Sequence, residues 1–123
     1  MNAPKFKAIA NQTLQNAAYL YGDKVVEKFQ DNLQEFVNLL AKDESIEVIE
    51  THPIYAIIKR KGYFLIHCNA QPTATAIPLG KDLETGLEKH VENMETKSDY
   101  ILLHKFQEIL PSVIIKYDEE FYS

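Results

Sequence analysis

Apolar residues recur at three- and four-residue steps through the first forty residues of the chain, from Phe6 to Tyr21 and again from Val25 to Leu40. This spacing predicts amphipathic helices, because residues three and four apart share one face of a helix. Gly22 lies where the two stripes meet, and the stripe stays nearly in phase across it. Residues 3–42 could therefore form one helix or two. A single helix would be about 60 Å long, roughly twice the width of a small domain, which favours a break at Gly22.

The pattern changes to a β-hairpin over residues 54–68, where two runs rich in Ile, Tyr and Phe flank a polar turn ending in Gly62. A bulged turn places Ile58 opposite Phe64, whereas a two-residue loop would mix polar and apolar groups on both faces. The bulged register is favoured because it makes one face wholly apolar. That predicted core face consists of Ile54, Ala56, Ile58, Phe64, Ile66 and Cys68. The opposite face carries Tyr55, Ile57, Lys59, Tyr63, Leu65 and His67.

Shorter patterns complete the chain. Residues 46–50 alternate well enough for a short strand, and 75–79 are a candidate fourth strand that Pro78 either restricts to an edge or ends. A narrow apolar stripe predicts a surface helix from Asp82, and a broader one predicts a helix over 101–110 that Pro111 ends. Residues 113–117 are predicted to form a last strand, and 118–123 a frayed acidic tail. The order of elements predicts an α+β fold for residues 1–123 as a single domain: one antiparallel sheet of 3–5 strands, with the N-terminal helices and two C-terminal helices packed on it.

Composition and charge limit the functions that are expected of this chain. With 46% hydrophobic and 25% charged residues, the 123-residue chain is typical of globular proteins. One cysteine suits a reducing cytoplasm, and no apolar run reaches the roughly 20 residues of a membrane helix, so we expect a cytoplasmic protein without a membrane partner. The net charge of −5 comes from residues 81–123, which carry five basic and ten acidic residues. The only basic cluster is Lys59–Lys61 at the hairpin turn, which argues against nucleic-acid binding.

The residues that usually carry chemistry do not form a motif. The four glycines make no phosphate-binding loop, and the four histidines have no metal-ligand spacing. His67 and Cys68 are adjacent, but neighbouring residues of a strand point to opposite faces, so the imidazole cannot activate the thiol. We therefore expect no catalytic residue, no metal and no cofactor. The histidines are His52, His67, His90 and His104.

Two function hypotheses remain. The first is a non-enzymatic binding protein that masks or inhibits a protein partner, with Tyr55, Lys59, Tyr63 and His67 on an exposed hairpin face as the contact residues. The order of elements and the acidic character resemble bacterial type III secretion chaperones and, equally, small immunity proteins that neutralise a toxin; the likeness is one of fold class alone. Alternatively, a helix covers this face, and a small enzyme or ligand-binding domain has a pocket beside Tyr55, Tyr63 and His67. In either case the N-terminal helices could form a homodimer.

Overall fold

The computed structural model describes residues 4–68, 74–96, 105–106 and 111–122, and the side chains of most of them. Over these ranges the fold is α+β, as predicted. It has four helices and a five-stranded antiparallel sheet whose strands follow one another in sequence order. The elements are α1 (Pro4–Tyr21), α2 (Asp23–Leu40), β1 (Glu47–Thr51), β2 (Ala56–Lys59), β3 (Tyr63–Cys68), β4 (Ala74–Gly80), α3 (Leu83–Thr96), β5 (Lys105–Phe106) and α4 (Pro111–Tyr122).

The central hairpin has the predicted register, with Ile58 opposite Phe64 on the neighbouring strand. Gly62 at its turn is needed for a reason the sequence did not show. Its backbone does not adopt a positive φ; instead, a Cβ at this position would overlap the ring of Tyr122 in α4. Ile54 lies outside the β2 ladder, because it is part of a turn that a 2.8 Å hydrogen bond from the His52 N–H to the Tyr55 carbonyl closes. The side chain of Cys68 lies outside the described residues.

Helices cover both faces of the sheet, whereas the sequence indicated packing on one apolar face. We call the first face the α2/α4 face. On it, buried residues of the two helices and of the loop before β1 pack on alternate residues of β2, β3 and β4. This core consists of Leu33, Phe36, Val37, Leu40, Ile46, Ala56, Ile58, Phe64, Ile66, Ala76 and Ile114. On the second, the α1/α3 face, the core consists of Phe6, Ala10, Tyr55, Ile57, Leu65, Ile77, Leu79, Leu87 and Val91, with Ile54 packed against it. The hairpin face that carries the tyrosines is thus covered, as one of the two alternatives predicted.

The first forty residues form two helices that meet at a corner at Gly22. Gly22 has φ 88° and ψ 163°, a left-handed conformation that a residue with a Cβ adopts only with strain. Gly22 also occupies the N-cap position of α2, and Asp23 is the first residue of that helix. From this corner the helices diverge, so that Phe6 of α1 reaches the α1/α3 face while Leu40 of α2 reaches the α2/α4 face. The residues beside the corner lie outside both cores.

The predicted last strand is wrong, because residues 113–117 belong to helix α4. The β-branched run Val113–Ile115 favours a strand locally, but Pro111 is the first residue of the helix, where its fixed φ is suitable and its missing N–H costs nothing. Tyr122, expected in a frayed tail, packs against the α2/α4 core. Within the predicted helix 101–110, Lys105–Phe106 instead pairs with β4 as strand β5, and the other residues of that stretch lie outside the described ranges.

Candidate ligand-binding cavity

A cavity of about 340 Å³ lies between α1, α2 and the α1/α3 face of the sheet. We call it the helix–sheet cavity. It exists because α1 and α2 diverge from the corner at Gly22, so that Ala17 and Phe29, one on each helix, line the same space. Most of its wall is apolar. The lining residues are Phe6, Ile9, Ala10, Thr13, Ala17, Phe29, Leu33, Ile54, Tyr55, Leu65, His67 and His90.

Tyr55 belongs to this wall and is held rigidly. Its ring packs edge-on against Phe6 at 5.0 Å between centroids and stacks on His52 at 4.6 Å. Its hydroxyl donates a 2.5 Å hydrogen bond to the Glu50 carboxylate, which also lies 3.1 Å from the Lys7 ammonium. Burial, together with this carboxylate, raises the pKa of Tyr55 well above its usual value. The phenol is therefore neutral at any physiological pH, and its proton is committed to Glu50.

His52 fixes the loop that precedes β2. Its Nδ1 accepts a hydrogen bond from the Ile54 N–H at 3.2 Å, which leaves the proton on Nε2. That nitrogen lies 2.8 Å from Oδ1 of Asn11 in α1, to which it donates. Partial burial also lowers the pKa of His52, favouring the neutral ring. The loop is thereby tied to α1 beside the cavity.

Two imidazoles from different elements face the cavity. His67 comes from β3 and is half-buried, whereas His90 comes from α3 and is only 8% exposed. Burial, and to a lesser extent the charge of His67, lowers the pKa of His90 to about 4. His90 is thus neutral at pH 7. The Phe6 ring lies 6.0 Å from that of His90, so the imidazole continues the aromatic wall.

The structure brings together only two of the four residues predicted to bind a partner. Tyr55 is 3% exposed and, with His67, lines the helix–sheet cavity. Lys59 and Tyr63 lie at the turn end of the hairpin, four residues from His67 and hence about 13 Å along the strand, with the Lys59 ammonium 5.1 Å from the centre of the Tyr63 ring. Burial prevents Tyr55 from touching a partner protein directly. Whether Lys59 and Tyr63 bind one stays a prediction.

The basic turn has its own partners inside the fold. Asp118 of α4 is fully buried and accepts backbone hydrogen bonds from Lys61 at 2.9 Å and Gly62 at 3.0 Å. Arg60 Nη1 lies 2.8 Å from both Asp118 and Glu119, and Lys61 Nζ lies 2.5 Å from Glu119. Hydrogen bonds from Lys61 and Arg60 keep the pKa of Glu119 below its usual value. The positive charges of Arg60 and Lys61 thus bind the turn to α4.

Sequence reasoning missed the helical half of the cavity and the role of Asp118. The cavity residues Phe6, Ala10 and His90 come from helices whose packing on the hairpin no local pattern reveals. A signal for Asp118 did exist. Ile114, Asp118 and Tyr122 recur at four-residue steps, which places the aspartate in the apolar stripe of a helix rather than in a tail.

No protein-family model, curated protein or solved structure matches this chain. None of the four helices within the described ranges combines the length and the apolar composition required to cross a bilayer. In the same part of the chain, no three His, Cys, Asp or Glu side chains are grouped as metal ligands would be. The function is therefore inferred from the geometry of this chain alone.

Proposed function

We propose that the protein is a non-enzymatic binding domain that takes a small apolar ligand into the helix–sheet cavity. The observation that carries the proposal is the cavity itself. Its 340 Å³ falls within the roughly 300–1,000 Å³ of small-molecule sites, and its wall is mainly apolar with a few polar groups, as such sites are. It lies beside Tyr55 and His67, two residues that the sequence singled out for this alternative. The lone cysteine supports a cytoplasmic location.

The shape of the site supports binding by burial of apolar surface. Filling a space that apolar side chains line removes both ligand and protein surface from water, which is worth about 25 cal/mol per Å². Thr13 lines the cavity and is exposed, so it marks the side that opens to solvent. Ala17 lies on the same wall one helical turn further on, close to the corner. A ligand can enter between α1 and α2 without disturbing the sheet.

A variant in which a larger side chain fills the cavity tests this proposal. We expect Ala17→Phe to place a ring in the space between α1 and α2 and to weaken the binding of 1-decanol at least about tenfold, while the melting temperature stays equal or rises. Isothermal titration calorimetry and thermal unfolding measure the two effects.

Ala8→Phe is the matched control, because Ala8 lies on the exposed side of the same helix and does not line the cavity. It should leave decanol binding unchanged. If wild type does not bind decanol or other aliphatic probes, or if both variants bind them as well as wild type does, the cavity is not a binding site.

Protein binding in the form of a homodimer through the N-terminal helices, which the sequence also suggested, is the second candidate function. The observation that favours it is the helical corner, defined as Tyr19, Leu20 and Tyr21, which are 87%, 66% and 63% exposed. Exposed tyrosine and leucine in one patch are typical of protein contacts. The next turns of α2 alternate in charge through Asp23, Lys24, Glu27 and Lys28. Because a two-fold axis pairs such a surface with itself, a second copy of this chain is the partner it fits.

Light scattering over a range of concentrations tests the second candidate. We expect a mass that approaches two chains at high concentration, and a Tyr19→Ser, Leu20→Ser variant that stays monomeric because it loses the apolar contact. Gln15→Ser, on the exposed side of the same helix, should dimerise like wild type. A wild-type protein that stays monomeric up to millimolar concentration would exclude the homodimer.

A further inference from the structure

Aromatic rings form a connected part of the wall of the helix–sheet cavity. The Phe6 ring lies 5.0 Å from that of Tyr55, with the two planes at 70°, and 6.0 Å from the His90 imidazole, with the planes at 60°. We call these three residues, all of which line the cavity, the ring cluster. Phe29 of α2 and His67 of β3 add two further rings to the wall. A ligand in the cavity therefore meets aromatic rings from several elements.

The inclination of these rings suits another ring. The face of an aromatic ring is electron-rich and its edge is electron-poor, so aromatic pairs favour edge-to-face or offset contacts with centroids roughly 4.5–7 Å apart. Because neighbouring rings of the cluster are inclined by 60–70°, they do not all turn the same aspect to the cavity. An aromatic ligand meets a face of one ring beside an edge of the next. A saturated ligand of the same size gains only the burial of its surface.

The ring cluster is fixed before any ligand binds. All three of its residues are buried. The Tyr55 ring stacks on His52 at 4.6 Å, and its hydroxyl donates a hydrogen bond to Glu50. A preformed wall of this kind costs little ordering on binding, and a rigid ligand likewise has few rotatable bonds to immobilise. Both costs are therefore smallest for a rigid, flat ligand.

The rest of the wall offers no partner for a charged group. Among the described residues, none of those that line the cavity is Asp, Glu, Lys or Arg. The Thr13 hydroxyl donates to a backbone carbonyl of α1, and that of Tyr55 donates to Glu50. His67 and His90 likewise interact with other groups of the fold. An ionised ligand would lose its hydration without gaining a counter-charge, so the ligand that fits is uncharged.

We propose that the ligand of the helix–sheet cavity is an uncharged aromatic compound of one or two fused rings, bound against the ring cluster. This proposal rests on the binding function proposed above and adds the chemical class of the ligand. The cavity volume of about 340 Å³ lies at the lower end of the roughly 300–1,000 Å³ of small-molecule sites, which favours a compact ring system over a drug-sized molecule. Naphthalene and indole skeletons belong to this class.

Calorimetric titration with 2-naphthol and decahydro-2-naphthol tests the proposal, because the two alcohols share one carbon skeleton and differ in aromaticity. We expect 2-naphthol, which is neutral at pH 7 as phenols are, to bind about three- to tenfold more tightly, the usual gain from aromatic contacts. 2-Naphthoate has the same rings and an ionised carboxylate. It should bind at least about tenfold more weakly than 2-naphthol, because its charge would be buried without a partner.

Phe6→Leu removes a ring of the cluster and keeps a buried apolar side chain. It should bring the two alcohols to within about twofold of each other. Phe29→Leu changes a half-buried lining residue, should also reduce the preference for 2-naphthol, and replaces the first variant if that one does not fold. Phe36→Leu is the matched control, since Phe36 is buried in the α2/α4 core and does not line the cavity. It should keep the wild-type preference.

The possible failures of the two proposals differ. If decahydro-2-naphthol binds wild type as tightly as 2-naphthol, the cavity takes apolar molecules of any kind and the aromatic proposal is wrong, while the binding function stands. If 2-naphthoate binds as tightly as 2-naphthol, the ligand class is not restricted to uncharged compounds and the proposal is also wrong. Phenylalanine variants that fold and keep the full preference would show that these rings do not hold the ligand. If neither alcohol nor 1-decanol binds, the proposed function itself fails.

Discussion

Replacing Asp118 with alanine should destabilise the protein by about 3–5 kcal/mol, the usual cost of removing one partner from a buried ion pair. The carboxylate is fully buried and accepts hydrogen bonds from the Arg60 guanidinium and from the backbone N–H groups of Lys61 and Gly62. Without it, the buried N–H of Gly62 and the partly buried N–H of Lys61 lose their acceptor, and the guanidinium loses its buried partner. Urea unfolding followed by circular dichroism measures the change.

The neighbouring Glu119 provides the control. It contacts the same Arg60 at 2.8 Å but is 44% exposed, so water can replace it when it is removed. We expect Glu119→Ala to lower the free energy of unfolding much less than Asp118→Ala does. Asp118→Asn should fall between them, because the amide keeps one acceptor oxygen and loses the charge. Equal effects of the two alanine variants would show that the turn is not fastened through Asp118.

Phe64→Ala should also cost about 3–5 kcal/mol, through the loss of buried apolar surface and the cavity left behind. Phe64 is fully buried in the α2/α4 core and meets the Tyr122 ring edge-on at 5.7 Å. Since Tyr122 donates a hydrogen bond to the Tyr63 carbonyl and accepts one from the Gly80 N–H at 2.9 Å, removing the Phe64 ring also loosens the contact between α4 and the sheet.

Phe121→Ala is the same substitution at a residue that is 43% exposed, and serves as the control. Its effect should be well under half that of Phe64→Ala, because a large part of the residue's surface is already in contact with water. Chemical denaturation of both variants, with the slope of the transition checked against wild type, provides the comparison. A Phe64→Ala variant as stable as Phe121→Ala would mean that the α2/α4 core is not formed as described.

The elements that sequence predicted correctly are those whose signal is local. The hairpin register follows from which residues are apolar between Ile54 and Cys68, and the break at Gly22 follows from helix length and from the conformational freedom of glycine. Pro78 predicted that its strand lies at an edge or ends there, and this is wrong for the strand as a whole, because β4 continues through Pro78 to Gly80 and lies between β3 and β5. The described part of β5 pairs only with Ala74 and Thr75, so β4 has no described partner beyond them on that side.

Helix α4 shows why the rest was not predictable from local preference. Its run of β-branched residues favours a strand, but in the fold Ile114 enters the α2/α4 core and Asp118 reaches the hairpin turn nearly sixty residues earlier in the chain. From sequence alone, an aspartate is expected to be exposed to solvent unless its partner is known. A helix with an acidic residue in its buried stripe becomes favourable only through the tertiary contact of that residue with Arg60 and the turn backbone.

The candidate site was predicted in part, for a related reason. Tyr55 and His67 were recognised because alternation along a strand assigns residues to faces, and both do line the helix–sheet cavity. Whether that face would be exposed or covered depends on where α1 and α3 pack, which their own periodicity does not specify. Lys59 and Tyr63 share the face but lie at its other end, away from the cavity. Strand alternation therefore identifies the residues of a face, of which only some belong to the site.

Methyl-resolved NMR during titration with 1-decanol tests the central claim, that the helix–sheet cavity is a binding site, most directly. We predict that shifts concentrate on the methyl groups of Ala10, Ile54 and Leu65, which line the cavity, and leave those of Ile58 and Ile66 on the opposite face of the sheet unchanged. Shifts confined to the helical corner at Leu20, or equal changes on both faces, would contradict the account.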